Sequence, residues 1–390
     1  MRIGMISGEY PPMEGGVGDF TRELSLALHA LGHDVHVLTT VSKDAPYQSS
    51  DRDLNIYRAI KNWGWGIHGA ITRWINTIAP DIVNIQYEAA AYQMKGNINF
   101  YPRFQKPNIA APIVVTYHDL LPPYLFPKAG VLRPWSVRQL AQYADGIIAT
   151  NNSDYNELIQ RLEKPVPPVR MIPIGSNIAP IPPEGYAPEM WRVEHNFDTD
   201  DILIGFFGFL NRTKGIETLL EAIAQLAQQD LPVQLLLIGG RTGSSDITNI
   251  QYANEIDALI TELDLGERVH RTGSLSPAEV SAALLAIDVC ALPYREGASL
   301  RHGTLHAALA HGCAIITTKA ETAPPELYNG ENVILIPPEN TEQLAQAILT
   351  LEADTPTRQR LGHAAAALAQ TFSWEGIAKQ TVAFFRELVK

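Results

Sequence analysis

Cysteine is almost absent from this chain of 390 residues, which contains only Cys290 and Cys313. Both stand in apolar surroundings, and their spacing matches no pattern of zinc ligands. This scarcity argues against a disulfide framework or a zinc site and predicts two buried thiols in a reducing compartment.

Basic residues are also scarce relative to acidic ones. The chain has 30 Lys and Arg against 42 Asp and Glu, a formal net charge of −12, which argues against a general nucleic-acid-binding protein. No apolar run approaches the roughly 20 residues that span a bilayer, and the first residues read as a short strand, unlike a signal peptide. We expect a cytoplasmic protein and leave open peripheral contact with the inner face of a membrane.

Two nucleotide-binding signatures are missing as well. No Gly-x-Gly-x-x-Gly sequence occurs, and no P-loop lysine follows a glycine-rich turn. A nicotinamide-dependent oxidoreductase is therefore a poor interpretation of this chain.

Short apolar runs alternate with amphipathic segments along almost the whole sequence. The helical segments include 21–31 and 216–226, where Leu and Ile recur at helical spacing. The strand-like runs are apolar on both faces and begin at Ile3, Val35, Ile82, Ile113, Ile147, Met171, Ile202, Val233, Val269, Val289, Ile315 and Val333. This alternation predicts parallel, doubly wound α/β sheets covered by helices on both faces. Twelve strands are too many for one ordinary open sheet, so we expect two.

A Pro- and Gly-rich stretch at 173–188 lacks periodicity and reads as a linker. We therefore expect an N-terminal Rossmann-like domain at 1–178, joined by a C-terminal helix at 374–390, and a second Rossmann-like domain at 199–370.

Two candidate ligand loops follow strands of the first half. Gly15-Gly16-Val17-Gly18 opens a helix near Asp19, where unpaired N–H groups would favour an anion or a polar sugar. A tight structural turn is an equally good interpretation of these glycines. His118 ends the strand that begins at Ile113, at the edge where open α/β sheets bind ligands. The alternative for His118 is a side chain satisfied by a neighbouring backbone group.

Two further candidate loops follow strands of the second half. In the segment 208–215, Arg212 and Lys214 lie near a helix start, and two cations with a helix dipole suit a diphosphate. In the segment 293–304, Glu296 could bind hydroxyl groups, whereas Arg301 and the nearby amides could bind phosphate. The alternatives are a solvated basic turn and an ordinary polar loop.

Taken in order, these segments resemble family 4 of the glycosyltransferases. The resemblance covers nearly the whole chain, and 208–215 resembles the family's phosphate-binding loop. The other matching segments are Gly15-Gly16-Val17-Gly18, Val115-Thr116-Tyr117-His118-Asp119, Ile172-Pro173-Ile174-Gly175, Leu237-Ile238-Gly239-Gly240, Thr272-Gly273-Ser274-Leu275-Ser276 and Phe372-Ser373-Trp374.

The resemblance implies a GT-B fold, in which two Rossmann-like domains face a cleft and a C-terminal helix crosses back to the N-domain. It also implies retaining, metal-independent transfer of a hexose from a nucleotide diphosphate sugar. Our preferred donor is a UDP-hexose such as UDP-glucose. The acceptor would be a saccharide or a lipid-linked molecule in polysaccharide or glycoconjugate synthesis, and no cofactor or nucleic acid is expected.

The resemblance also implies roles for individual residues. His118, Lys214 and Glu296 would be catalytic. The donor would be bound by Gly16, Arg212, Lys214, Gly273, Ser274, Leu275, Glu296, Ser299, Leu300 and Arg301. The acceptor side would include Glu14, Gly15, Gly18 and Asp119.

Two positions depart from the family pattern. Phe209 stands where the family usually has an Arg, for which Arg212 would substitute, and Ala307 stands where a Glu contacts the ribose. These departures keep open the alternative of a catalytically degenerate binding protein of the same fold. A nucleotide-sugar epimerase, a different enzyme on this fold, is a second alternative. Asp-x-Asp sequences at 51–53 and 198–200 match a metal pattern of another glycosyltransferase class, but we interpret both as solvated turns.

Overall fold

The structure is a computed structural model that describes residues 1–13, 15–124, 129–198, 200–240 and 247–389. Its contacts divide the chain into two units, Met1–Gly175 with Ser373–Lys390 (unit 1) and Ser176–Phe372 (unit 2). Within the described ranges, none of the helices has the length and apolar character needed to cross a membrane.

Unit 1 contains an eight-stranded sheet in the order β3-β4-β2-β1-β5-β6-β7-β8. Its strands are β1 Arg2–Ser7, β2 Asp34–Thr40, β3 Gln48–Asp51, β4 Leu54–Ile60, β5 Ile82–Tyr87, β6 Ile113–Tyr117, β7 Gly146–Ala149 and β8 Val169–Met171. All neighbours pair in parallel except β3 and β4, which form an antiparallel hairpin at the edge.

Helices cover both faces of this sheet. They are α1 Gly16–Ala30, α2 Ile67–Ile78, α3 Tyr101–Gln105, α4 Leu132–Gln142, α5 Asn152–Arg161 and α13 Trp374–Leu388. Alternate residues of each central strand enter different cores: Val83 and Ile85 pack in one, whereas Ile82 packs in the other. Successive strand side chains point to opposite faces, which explains why runs apolar throughout form these strands.

The last helix, α13, is part of unit 1. It contacts α1, and its side chains Ile377, Phe384 and Phe385 are fully buried. The packing on β7 is so close that a Cβ on Gly146 would lie 2.6 Å from Leu388 Cδ1 and 2.8 Å from Phe384 Cζ. The predicted return of the C-terminal helix to the first domain is therefore confirmed.

Unit 2 contains a six-stranded parallel sheet in the order β11-β10-β9-β12-β13-β14. Its strands are β9 Ile202–Phe207, β10 Val233–Ile238, β11 Val269–Arg271, β12 Val289–Leu292, β13 Ile315–Thr318 and β14 Ile334–Ile336. Its helices are α6 Pro188–Glu194, α7 Ile216–Ala227, α8 Ile247–Glu262, α9 Pro277–Ala286, α10 Gly303–Ala310, α11 Thr341–Ala353 and α12 Thr355–Gln370. The prediction of two doubly wound parallel sheets is confirmed.

The sequence interpretation missed some elements. The hairpin of β3 and β4 was not predicted, the strand expected to begin at Met171 ends there, and α6 starts within the stretch read as a linker. The description of Asp51 as a solvated turn residue is wrong. Its carboxylate accepts hydrogen bonds from Arg22 Nε at 2.7 Å and from the Tyr10 hydroxyl at 3.0 Å, so it ties the hairpin to α1.

We predict that Phe385→Ala lowers the free energy of unfolding by about 3–5 kcal/mol, because truncating a buried aromatic side chain leaves a cavity in the core. Denaturant unfolding followed by circular dichroism measures the change. Lys379→Ala on the same helix is the control, because its ion pair with Glu375 is exposed to solvent and such surface pairs contribute little to stability. Equal effects of the two substitutions would show that α13 is not packed in the core.

Candidate functional site

Each sheet has a switch point, at which the connections that follow two adjacent strands run in opposite directions along the sheet. In unit 1 it lies between β1 and β5, and in unit 2 between β9 and β12. Ligands of open α/β sheets bind beyond the carboxyl ends of such strands. The loops that follow these four strands therefore define the candidate site within each unit.

In unit 2 the loops after β9 and β12 contact each other through their backbones. The Arg295 N–H donates to the Thr213 carbonyl at 3.0 Å. Gly215, with φ of 65°, lies so close that a Cβ there would be 2.1 Å from the Pro293 oxygen. Any side chain would collide with backbone in a conformation that L-residues rarely adopt. The contact fixes the residues before Gly215, including Lys214, against the second loop.

Lys214 is the cation that this arrangement encloses. Its Nζ donates to Thr304 Oγ1 at 3.3 Å and lies 4.8 Å from the centre of the Tyr294 ring. No carboxylate pairs with it among the described residues, and burial lowers the pKa of Lys214 to about 8. A partly buried ammonium without a counter-ion favours an incoming anion, because pairing would recover part of the desolvation cost.

Neutral polar side chains surround this ammonium. The Tyr294 hydroxyl and Thr304 Oγ1 lie 2.7 Å apart, and the His302 ring lies 4.0 Å from the Tyr294 ring. Burial, followed by the charge of Lys214, lowers the pKa of His302 well below 6.5. The imidazole is therefore neutral at pH 7, and its Nδ1 accepts from the Ser299 N–H at 3.3 Å. Sequence reasoning did not assign a role to His302, Thr304 or Tyr294.

Other predicted residues of this unit have different surroundings. Arg212 is exposed and forms an ion pair with Glu255 of α8 at 2.5 Å, whereas Glu296 and Arg301 pair with each other at 3.2 Å. Leu300 is buried, and its carbonyl accepts from His306 Nε2 at 2.8 Å. The structure thus brings Lys214 together with the loop after β12, while Arg212 is engaged by α8.

A cavity of about 330 Å³ adjoins the carboxyl ends of β9 and β10. Its lining includes Gly208, Gly240 and Gly273. A Cβ on Gly240 would lie 3.1 Å from both Phe209 Cε1 and Ser274 Oγ, so these two side chains border the same place. Ala307, by contrast, is buried in the core.

A larger open cavity of about 810 Å³ is lined by Leu275, Trp191 and His270. It lies beside β11, α6 and α9. Leu275, predicted to bind the donor, therefore borders a different cavity from Gly273.

In unit 1, the N-terminus of α1 is capped by a carboxylate of the protein itself, that of Glu9. Glu9 Oε1 accepts from the N–H groups of Val17 at 3.0 Å and Gly18 at 3.1 Å. The expectation of unpaired N–H groups is therefore wrong for these two residues, because a carboxylate at the helix N-terminus satisfies them. A Cβ on Gly15 would lie 2.1 Å from the same carboxylate, whereas one on Gly16 would meet nothing within 4 Å.

His118 terminates a chain of buried polar side chains. The Gln86 amide donates to Asn84 Oδ1, and its Oε1 lies 3.0 Å from His118 Nε2. Since a carbonyl oxygen can only accept, Nε2 carries the proton and Nδ1 is a hydrogen-bond acceptor. Burial lowers the pKa of His118 to about 3. A neutral imidazole at pH 7 can orient a hydroxyl group but is poorly suited to donate protons.

Asp119 and Glu88 lie near His118 in sequence or strand order. Asp119 accepts from the Leu121 N–H at 3.1 Å, and Glu88 directly follows β5 at the switch point. Burial, together with the charges of Asp119 and Glu9, raises the pKa of Glu88 to about 8. Glu88 was not identified from the sequence, although a carboxylate directly after a buried strand was the available signal. Glu14 lies outside the described residues.

We predict that Glu88→Gln stabilises the protein at pH 9 and has little effect at pH 5. The folded-state pKa lies above the ordinary value of 4.5. The protonated form is therefore favoured by the fold, and stability is lost as pH rises from about 4.5 through about 8. The amide removes this loss. Melting temperatures across this pH range give the test.

The exposed Glu331 provides the matched control for this measurement. Glu331→Gln should shift the melting temperature by the same amount at both pH values. A Glu88→Gln shift that is equally independent of pH would contradict the prediction.

Two family profiles match the chain. One, described as "Glycosyltransferase Family 4", matches residues 14–179, and the other, "Glycosyl transferases group 1", matches residues 188–368. A D-inositol 3-phosphate glycosyltransferase of Corynebacterium efficiens is 27% identical over 254 residues, which is 64% of this chain and 58% of that relative. An MMP alpha-(1->4)-mannosyltransferase of Mycolicibacterium hassiacum is 30% identical over 45% of this chain and 40% of its own length.

Solved structures match over the whole length. Sucrose-phosphate synthase from Thermosynechococcus elongatus has a TM-score of 0.81 at 23% identity and covers 100% of this chain and 99% of its own. Anabaena HepE, solved in complex with UDP-glucose, has a TM-score of 0.74 at 19% identity and covers 99% of this chain and all of its own. Structural likeness at these identities establishes the fold. With both halves matched in the order in which the sequence motifs occur, the chain belongs to family 4 of the glycosyltransferases and has the GT-B fold.

Proposed function

We propose that this protein transfers a hexose from a UDP-hexose, with retention of anomeric configuration and without a metal, to a saccharide or lipid-linked acceptor. The family supports a nucleotide-sugar donor. The preference for uridine and glucose is supported by HepE, whose solved complexes contain UDP and UDP-glucose.

The single observation that carries the proposal is the environment of Lys214. A partly buried ammonium, without a carboxylate partner among the residues that the structure covers, faces Thr304 and Tyr294 next to the start of α10. The pyrophosphate of a nucleotide sugar would supply the missing negative charge, and the dipole of α10 would add about half a positive charge at its N-terminus. This makes Lys214 a better candidate than Arg212 for the leaving-group phosphate.

The neighbouring groups suit the rest of a donor. The cavity of about 330 Å³ lined by Gly208 and Gly273 would receive the base. Phe209, 40% exposed beside Gly240, offers an apolar ring where a cation is usual in the family. With Ala307 buried, helix α10 offers no carboxylate at that position, so the ribose would be held by other groups.

Unit 1 offers groups suited to sugar hydroxyls. Nδ1 of His118 can accept a hydrogen bond, and Glu88 and Asp119 add carboxyl groups at the same sheet edge. Predicted acceptor-side roles for Gly15, Gly18 and Asp119 remain proposals. For the two glycines, the contacts with Glu9 and the following loop explain the residue type without a ligand.

The proposed reaction needs little proton transfer from the protein. The bond from the anomeric carbon to the phosphate oxygen breaks, and a bond from the same carbon to the acceptor oxygen forms on the same face. The acceptor proton passes to an oxygen of the departing diphosphate. Because negative charge develops on the phosphate, a preorganised cation is the main contribution that the protein makes.

A thermal-shift panel of nucleotide diphosphates and their sugars tests the donor. We expect UDP and UDP-glucose to raise the melting temperature more than ADP or GDP, since ligand binding at 100 times Kd stabilises the folded state by about 2.7 kcal/mol. Release of UDP from UDP-glucose, even slowly, would exclude a degenerate binding protein. A larger shift with another nucleotide would overturn the uridine assignment, and the absence of any shift would count against donor binding.

Lys214→Met is expected to lower turnover by about 10²–10³-fold, the usual cost of removing one preorganised charge. Wild-type affinity for UDP should fall as pH rises above about 8, because the bound diphosphate requires the protonated ammonium. The variant should lack this pH dependence. Calorimetric titration and donor-consumption assays measure the two effects.

Arg212→Ala is the comparison, because Glu255 already pairs with its guanidinium. We expect it to reduce turnover less than about 10-fold. A larger loss for Arg212→Ala than for Lys214→Met would transfer the phosphate role to Arg212.

A further inference from the structure

Large apolar side chains are unevenly distributed over the described surface. Of the eighteen that are exposed, eight lie between Met94 and Tyr143. These eight and Trp65 all belong to unit 1. Apolar surface exposed in a contiguous patch usually marks a place where another molecule docks.

Contacts between aromatic rings show that several of these side chains form one surface. The Phe100 ring lies 5.9 Å from that of Trp65, 6.2 Å from Phe104 and 5.7 Å from Trp135. Trp65 is 64% exposed, Phe104 50% and Trp135 38%. Leu132, exposed one turn before Trp135 on α4, extends this group. We call Trp65, Phe100, Phe104, Leu132 and Trp135 the aromatic surface.

The local charge is opposite in sign to that of the whole chain. Residues 91–142 contain six Lys and Arg and a single acidic residue, Asp119, although the net charge of the chain is −12. Helix α4 has no acidic residue and carries two Arg. The excess of cations therefore lies in the same stretch of sequence as most of the exposed rings.

Two of the cations near this surface, Arg103 and Arg138, are bound by neutral groups or only weakly by a carboxylate. Arg103 donates to Gln139 Oε1 at 2.8 Å and to the Tyr143 hydroxyl at 2.7 Å, both neutral partners. Arg138 lies 3.9 Å from the exposed Glu163, a weak pairing. Lys106 is neutralised by Asp145 at 2.6 Å. At least two guanidinium groups thus accompany the rings without strong internal compensation.

We propose that the aromatic surface docks on an anionic lipid bilayer, with its rings in the interfacial region and Arg103 and Arg138 against the headgroups. Trp and other aromatic side chains favour the membrane–water interface, and cations near it are attracted by anionic lipid. Uncharged lipid would offer the rings a site but no attraction for the cations. The occupant that fits both features is therefore a negatively charged membrane surface.

Co-sedimentation of the full chain with vesicles tests the proposal. The probes are phosphatidylcholine alone and phosphatidylcholine with about 30% phosphatidylglycerol, in about 0.1 M and about 0.5 M salt. We expect binding to the anionic vesicles at low salt, with at least a tenfold weaker affinity at high salt or without phosphatidylglycerol. Brominated lipids should quench tryptophan fluorescence.

The variants separate the two contributions. The double variant Trp65→Ala with Trp135→Ala should weaken binding at least tenfold and abolish the quenching, and Arg103→Gln with Arg138→Gln should remove the salt dependence. Tyr47→Ala is the matched control, since Tyr47 is 64% exposed in unit 1 outside the surface. Circular dichroism and melting temperature verify that each variant is folded.

Three results would overturn the proposal. One is no binding to either vesicle, which would leave the surface to a protein partner. The others are equal binding to both vesicles and equal loss with Tyr47→Ala. None of these three results depends on donor binding. Each can therefore be distinguished from a failure of the proposed transferase activity.

Discussion

Parallel strands covered by helices on both faces constrain this molecule more than any single contact. In a parallel sheet, each connection leaves the carboxyl end of one strand and returns to the amino end of the next. The loops that follow the strands therefore all lie at the carboxyl edge of the sheet. Where the winding reverses, between β1 and β5 and between β9 and β12, adjacent loops diverge and leave backbone and side chains accessible. Glu88 and Lys214 occupy such connections, whereas His118 follows the neighbouring strand β6. Burial alters the pKa values of all three side chains.

The side chains at the carboxyl edges of the two sheets differ in charge. At the unit 2 edge, Lys214 has no carboxylate partner in the part of the chain that the structure describes, and it is surrounded by hydroxyl groups and a neutral imidazole. At the unit 1 edge, Glu9 satisfies the helix start, and Glu88 shares its surroundings with other carboxylates. One unit thus favours an anionic ligand, and the other favours groups that donate hydrogen bonds. This division is the one that a diphosphate donor and a hydroxyl-bearing acceptor would need.

Sequence reasoning recovered the elements whose signal is local. Strands apolar on both faces were found because two packed helical layers require them, whereas β4 buries alternate residues only and escaped the same criterion. Lys214 and Arg212 look alike in sequence, since both are cations before a helix. They differ because Glu255, distant in the chain, pairs with only one of them. The roles of Glu9 and His302 likewise depend on contacts that form only on folding, and residue spacing in the sequence does not reveal them.

The membership of α13 in unit 1 has a consequence for how the molecule is made. Residues 176–372 form a unit that is complete before α13 has been translated, whereas the sheet formed by residues 2–171 lacks the helix that packs on Gly146 and α1 until residues 373–389 emerge. During synthesis, the apolar groups that Phe384 and Phe385 later cover are exposed while the whole of unit 2 is translated. The first unit to be started is therefore the last to be finished, and premature termination would leave it incomplete.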